Sequence, residues 1–195
     1  NYLLAAAAVT PIGVAGKPLN HIGASNTWAN AAPVNALPAS ASTLEDAGVV
    51  LALGVADSDA AGSNLTVSVS VDVGALTLAN TAGIVVDSGS NGSAAMVFSG
   101  ALPALGAALN GLQFSPPANF NGTATLSITT NDNGNTGTDG AKSDSDTLTI
   151  AVTAVNDVPS FAVGTNQTVA SDAGAQIVNG FATALSAGPA DESAQ

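Results

Sequence analysis

Apolar and polar residues alternate along three stretches of this chain. They run from Leu65 to Val73, from Ala124 to Thr129 and from Thr147 to Val152. A period of two is expected of a strand that buries one face. Between such stretches lie Asn-Gly pairs, which accept positive φ at low cost and favour turns. Several short alternating strands separated by turns predict an all-β sandwich. The pairs are Asn91-Gly92, Asn121-Gly122 and Asn133-Gly134.

One segment has a different period. Leu102, Leu105 and Leu109 are spaced as on one face of a helix. The spacing predicts a short helical crossover over residues 103–110, after which Leu112 to Phe114 resumes as a strand. The role expected of this helix is packing.

The chain also repeats itself. Pro33 of Ala32-Pro33-Val34 recurs as Pro159 of Val155-Asn156-Asp157-Val158-Pro159, and the same spacing of 126 residues carries Glu45-Asp46-Ala47-Gly48 onto Ser171-Asp172-Ala173-Gly174. Internal repetition indicates modules that are each stable largely alone and touch their neighbours. We therefore predict an extended N-terminal segment at 1–31, a complete repeat at 32–158 and a partial second repeat at 159–195.

The partial repeat is expected to supply about two strands, near residues 167–170 and 176–181. Two strands cannot enclose a core by themselves. Either further polypeptide or another molecule would have to complete the sheet, the latter by strand addition. The segments 1–31 and 159–195 are the ones expected to take part.

Composition limits the possible partners. The chain has fourteen acidic and two basic residues, a net charge of −12, which argues against nucleic acid because phosphate binding needs clustered Lys and Arg. The apolar run Leu3 to Val9 is too short to span a bilayer. There is no cysteine, so no disulfide or thiolate metal site is expected, and only 4% of residues are aromatic, so the core must be mostly aliphatic.

The spacing of the acids predicts two clusters. If the repeat is a seven-stranded sandwich with strands of alternating direction, the turn after its first strand lies where the chain leaves the repeat. Glu45 and Asp46 would then lie near the linker residues Asn156 and Asp157, at the exit pole. From the second repeat they would be joined by two further acids. These are Asp191 and Glu192.

At the opposite end, the entry pole, the same reasoning places Asp57 and Asp59 near Asn30, together with Asp132 from the last hairpin. This pole is the poorer candidate, because Ala31 stands where the repeat spacing would put the equivalent of Asp157. Each acid taken alone is an ordinary turn residue. Taken together at matched ends, they favour calcium, which binds six to eight oxygen ligands.

Seven short motifs are shared with a known kind of repeat, and their combination resembles the cadherin-like tandem repeats of large bacterial surface and secreted proteins. The motifs are Ala32-Pro33-Val34-Asn35, Leu44-Glu45-Asp46, Val55-Ala56-Asp57-Ser58-Asp59, Ala108-Leu109-Asn110-Gly111-Leu112, Asn119-Phe120-Asn121-Gly122, Asn131-Asp132-Asn133-Gly134-Asn135-Thr136-Gly137 and Val155-Asn156-Asp157-Val158-Pro159.

The resemblance implies an immunoglobulin-like sandwich, calcium at the junctions between repeats, and a role in extracellular adhesion or assembly. The ligands it implies are Glu45, Asp57, Asp59, Asn156 and Asp157. Two departures concern the ligands: Ser171 replaces the equivalent of Glu45 in the second repeat, and the linker before the first repeat lacks its Asp.

Three functions follow as hypotheses. The first is a non-catalytic, calcium-stabilised structural module of an extracellular bacterial adhesin or matrix protein. The second is a subunit of a self-assembling extracellular filament or sheath, joined to identical subunits by strand complementation. The third, a carbohydrate-binding module, is disfavoured because aromatic platforms are scarce. The sequence contains no nucleophile beside a base and no phosphate-binding glycine loop, so no enzyme is expected.

Overall fold

The computed structural model describes residues 29–60, 62–134, 136–190 and 192. Most of the predicted N-terminal segment, residues 1–28, lies outside them. The described chain is mostly β-sheet. Its elements are β1 Val34–Ala36, β2 Ala41–Leu44, β3 Val49–Leu51, β4 Gly54–Ala56, β5 Asn64–Val71, β6 Ala75–Leu78, β7 Ile84–Gly89, β8 Ala95–Ala101, α1 Leu102–Leu109, β9 Leu112–Ser115, β10 Gly122–Asn131, β11 Ser143–Thr153, β12 Ser160–Val163 and β13 Ala182–Ser186.

The largest sheet has six strands in the order β2-β11-β10-β5-β8-β7. At its centre β10 pairs antiparallel with β11 over its whole length, from Gly122 opposite Val152 to Asn131 opposite Ser143. The strands predicted from alternation are β5, β10 and β11, and all three are confirmed. Their apolar residues are buried on one face because a strand directs alternate side chains to opposite sides.

The core lies between this sheet and a second, three-stranded sheet in the order β3-β9-β6. Phe98 and Leu126 of the large sheet and Leu76 and Phe114 of the small one belong to the same buried cluster. Most other members of the cluster are Leu, Val, Ile and Ala, as the low aromatic content predicted. The arrangement is consistent with an all-β sandwich.

The predicted helical crossover is confirmed as α1. Pro103 lies in its first turn, where a backbone N–H would have no partner within the helix, so the N–H that proline lacks is not missed. Leu105 and Leu109 are fully buried. Asn110 ends the helix with its N–H donated to the Gly106 carbonyl. The Leu53 N–H donates to the Leu109 carbonyl, which fastens the helix to the start of β4. Among the described residues, no helix has the length and apolar character needed to cross a membrane.

The pairing of β2 with β11 determines where the chain leaves the sandwich. The two strands pair in parallel, from Ala41 opposite Ile150 to Leu44 opposite Thr153. The assumed seven strands of alternating direction are therefore wrong in detail, since the described residues from Val34 to Thr153 form eleven strands and one edge pairing is parallel. The ends of β2 and β11 still meet at one pole.

The second repeat differs from expectation. The strands predicted near residues 167–170 and 176–181 are wrong, and the pairing strands are β12 and β13 instead. A strand needs a neighbouring backbone, and β12 pairs with β13 as β1 pairs with β4 in the first repeat. Every residue of β12 and β13 is exposed, because the described chain lays no second layer over them.

Replacing Phe98 by Ala tests the sandwich core. Phe98 is fully buried between Val67 of β5 and Val86 of β7, so the substitution is expected to lower the free energy of unfolding by about 3–5 kcal/mol. Urea denaturation measures the change. The control is Val85→Ala on β7, whose side chain is 60% exposed and whose loss should cost within about 0.5 kcal/mol. Equal losses in the two variants would contradict the assigned core.

Candidate metal centre

Glu45 is held at the exit pole by two hydrogen bonds to the strand-linker boundary. Its backbone N–H donates to the Thr153 carbonyl (2.9 Å), and its carboxylate Oε1 accepts from the Val155 N–H (2.5 Å). The residue lies in the turn after β2 yet is only 3% exposed. Its second carboxylate oxygen, Oε2, is buried and has no hydrogen-bond partner. A buried carboxylate oxygen without a donor is costly, because desolvation is not compensated.

Two further acids complete a group of three. One carboxylate oxygen from each of Glu45, Asp157 and Glu192 lies within 4.8 Å of the others. Asp157 belongs to the linker between β11 and β12, and Glu192 follows β13. Glu192 is 3% exposed and Asp157 is half-buried, with its Oδ2 also buried and without a hydrogen-bond partner. The group thus joins the sandwich, the linker and the second repeat.

The three carboxylates of this group lie close enough to repel one another strongly. At about 4 Å, two carboxylates repel by about 4 kcal/mol at an effective dielectric constant of roughly 20. Of the two lysines in the chain, Lys142 pairs with Asp139 at 3.8 Å instead. The three carboxylates could hold a metal ion, and theirs is the one such group within the described part of the chain.

The other residues predicted at this pole lie around the group. Asp46 is exposed, and its Oδ1 accepts from the Asn119 N–H (2.9 Å). Asn156 is also exposed, and its Nδ2 donates to the backbone carbonyl of Asp157 (3.1 Å). Neither belongs to the group of three. The prediction for Asp191 falls outside the described residues.

The entry pole contains the second set of predicted acids, and Asp132 is its best-satisfied member. Asp132 is 2% exposed. Its Oδ1 accepts from the Gly134 and Lys142 N–H groups, both at 2.8 Å. Its Oδ2 accepts from the Asn30 side-chain amide at 2.6 Å. Asn30 is itself buried; the sequence analysis placed it at this pole but did not name it as a ligand. The repeat spacing, which carries Asn30 onto Asn156, was the signal that could have identified it.

Asp57 and Asp59 lie beside Asp132 at this pole. Asp59 Oδ2 accepts from the Ala31 N–H (3.1 Å), and Asp57 Oδ1 accepts from the Asp59 N–H (3.1 Å). Asp57 Oδ2 is buried without a hydrogen-bond partner. Burial raises the pKa of Asp57 above its usual range, and the neighbouring charges of Asp59 and Asp132 raise that pKa further, against one backbone hydrogen bond that lowers it. Acids lie close together at both poles, but their carboxylate oxygens differ in the hydrogen-bond donors that they find.

Comparison of the chain with protein-family models, curated proteins and solved structures gave no match. The likeness to cadherin-like repeats thus remains a prediction from the motifs.

Asp57 gives a prediction about pH. The pKa of Asp57 is higher in the folded than in the unfolded chain, so the folded protein binds the proton more tightly. The stability that this proton contributes is therefore fully present below about pH 4 and is lost as pH rises. Asp57→Asn should therefore stabilise the metal-free protein at pH 7, by less than about 1 kcal/mol since solvent screens the charges. The gain should disappear near pH 4.

Urea denaturation at the two pH values measures this effect. Asp172→Asn serves as the control, because Asp172 is an exposed turn residue, and it should change stability at neither pH. A loss of stability on replacing Asp57 at pH 7 would contradict the assigned repulsion.

Proposed function

We propose that this chain is a non-catalytic structural module in which a calcium ion at the exit pole stiffens the junction between two repeats. The observation that carries the proposal is the buried Glu45 carboxylate with its unpartnered Oε2, directed to the same small volume as Asp157 and Glu192. A cation there would offset the repulsion and replace the missing hydrogen bonds.

The ligand chemistry favours calcium over other metals. All three side chains offer carboxylate oxygens, whereas zinc prefers nitrogen and sulfur ligands. Oxygens within 4.8 Å of one another suit an ion bound at about 2.3–2.6 Å. Calcium also accepts irregular geometry with two-oxygen binding by carboxylates, while magnesium requires a near-ideal octahedron.

The mechanical role follows from the origin of the three ligands. Glu45 belongs to a turn of the sandwich, Asp157 to the linker and Glu192 to the segment after β13. An ion bound to all three would fix the second repeat relative to the first. Such stiffening suits tandem modules of an extracellular bacterial adhesin or matrix protein, which is the setting that we propose.

Replacing Glu45 by Gln tests the site. Calcium at about 100 times its Kd should stabilise the wild-type protein by about 2.7 kcal/mol, and Glu45→Gln should lose most of this gain. Gln keeps an oxygen that can accept from Val155, so the fold should survive. The matched control is Asp46→Asn. It removes the same charge from the next residue, whose side chain is exposed and lies outside the group of three acids.

Thermal and urea unfolding with calcium and with chelator measure these differences, and titration calorimetry measures binding directly. An unchanged unfolding curve after chelation would refute the calcium site. Equal losses in the Glu45 and Asp46 variants would show that only general charge matters.

A second candidate function is favoured by the exposed pair β12–β13. Phe161, Val163 and Leu185 are 61%, 67% and 75% exposed. A two-stranded pair is marginal alone, and apolar edges of this kind favour strand addition. This candidate is a subunit of an extracellular filament or sheath, in which a neighbouring subunit covers the pair.

Sedimentation of the full chain over a range of concentrations tests this candidate. We expect self-association that Leu185→Asp weakens at least about tenfold, because a charge would be buried at the contact. Val85→Asp, at an exposed position on β7, should leave association unchanged. A monomer at every concentration would eliminate the filament.

A further inference from the structure

Gly188 lies against two of the three acids of the metal centre. An ideal Cβ built on this glycine would lie 2.8 Å from Glu192 Cγ, 3.0 Å from Glu192 Cβ and 3.4 Å from Asp157 Cβ. Contacts under 3.0 Å require some atom to move. The φ of Gly188 is +147°, a conformation that residues with a side chain rarely adopt. Backbone without a side chain is therefore what allows Glu192 to approach Asp157.

The surrounding hydrogen bonds hold Gly188 in this place. The Ser186 hydroxyl donates to the Gly188 carbonyl (2.8 Å) and accepts from the Gly188 N–H (3.2 Å). The Glu192 N–H donates to the Pro189 carbonyl (3.1 Å), which closes the turn that follows. Ser186 is also the last residue of β13 and pairs with Ser160, three residues after Asp157. The pairing of β12 with β13 thus brings the turn back to the linker.

We propose that Gly188 is the positioning residue of the cation site, acting through Glu192. This inference rests on the proposed function and adds a residue that is not a ligand. A side chain at position 188 would displace Glu192 from the space that it shares with Glu45 and Asp157, and the ion would lose one carboxylate. The effect on affinity should resemble that of disturbing a group that orients a metal ligand, about 10- to 100-fold.

The test is calcium titration of the full chain carrying Gly188→Ala. We expect calcium affinity to fall at least about tenfold while urea unfolding in chelator changes little, since the substitution lies outside the sandwich core. The control is Gly174→Ala, where an added Cβ would meet no atom within 4 Å and φ is not left-handed. This control should bind calcium as the wild type does.

A double-substitution cycle separates positioning from general disturbance. If Gly188 acts through Glu192, adding Gly188→Ala to Glu192→Ala should weaken calcium binding no further than Glu192→Ala alone. Wild-type affinity in the Gly188 variant, or additive losses in the double variant, would overturn this inference and leave the site itself standing. A wild-type chain that does not bind calcium would instead overturn the proposed function.

Discussion

The parallel pairing of β2 with β11 is the interaction on which the exit pole depends. Leu44, the last residue of β2, lies opposite Thr153, the last residue of β11. Glu45 therefore follows at the point where the chain enters the linker, and its N–H continues the pairing to the Thr153 carbonyl. A slip of one residue would direct Glu45 to the other face of the sheet, because side chains alternate. The register of this edge pairing thus decides whether the Glu45 carboxylate lies beside the linker.

Burial then makes the position of Glu45 energetically demanding. An ionised carboxylate removed from water needs donors for both oxygens, and the Val155 N–H serves only one of them. Asp157 and Glu192 add negative charge where a donor is needed. The neighbouring Asp46 shows the ordinary alternative, an exposed acid that bonds one backbone N–H in a turn. Glu45 and Asp46 are adjacent in one loop but differ in their surroundings. Glu45 is buried close to two other acids, whereas Asp46 is exposed and outside that group.

Sequence reasoning succeeded where a pattern reports on local burial and failed where structure depends on a distant partner. The alternation in β5 and the leucine spacing in α1 record which faces are covered, so both were predictable. The strands of the second repeat were misplaced because a strand forms where another backbone is available, which alternation does not reveal. Gly188 escaped notice for a similar reason. Its importance comes from contact with Glu192, and a single glycine in a turn carries no sign of such a contact.

The two poles show how one residue changes the chemistry of a junction. The repeat spacing carries Ala31 onto Asp157. At the entry pole the Ala31 N–H and the Asn30 amide are donors, and they bond to Asp59 and Asp132. At the exit pole the linker contributes a further carboxylate, and two buried oxygens, Glu45 Oε2 and Asp157 Oδ2, have no hydrogen-bond partner. Protein donors thus bond to most carboxylate oxygens of the first cluster, whereas the second keeps two buried oxygens for which a cation is the proposed partner. A linker that carries Asp157 where the other carries Ala31, and keeps the Asn before it, therefore adds a carboxylate to the junction without adding a donor.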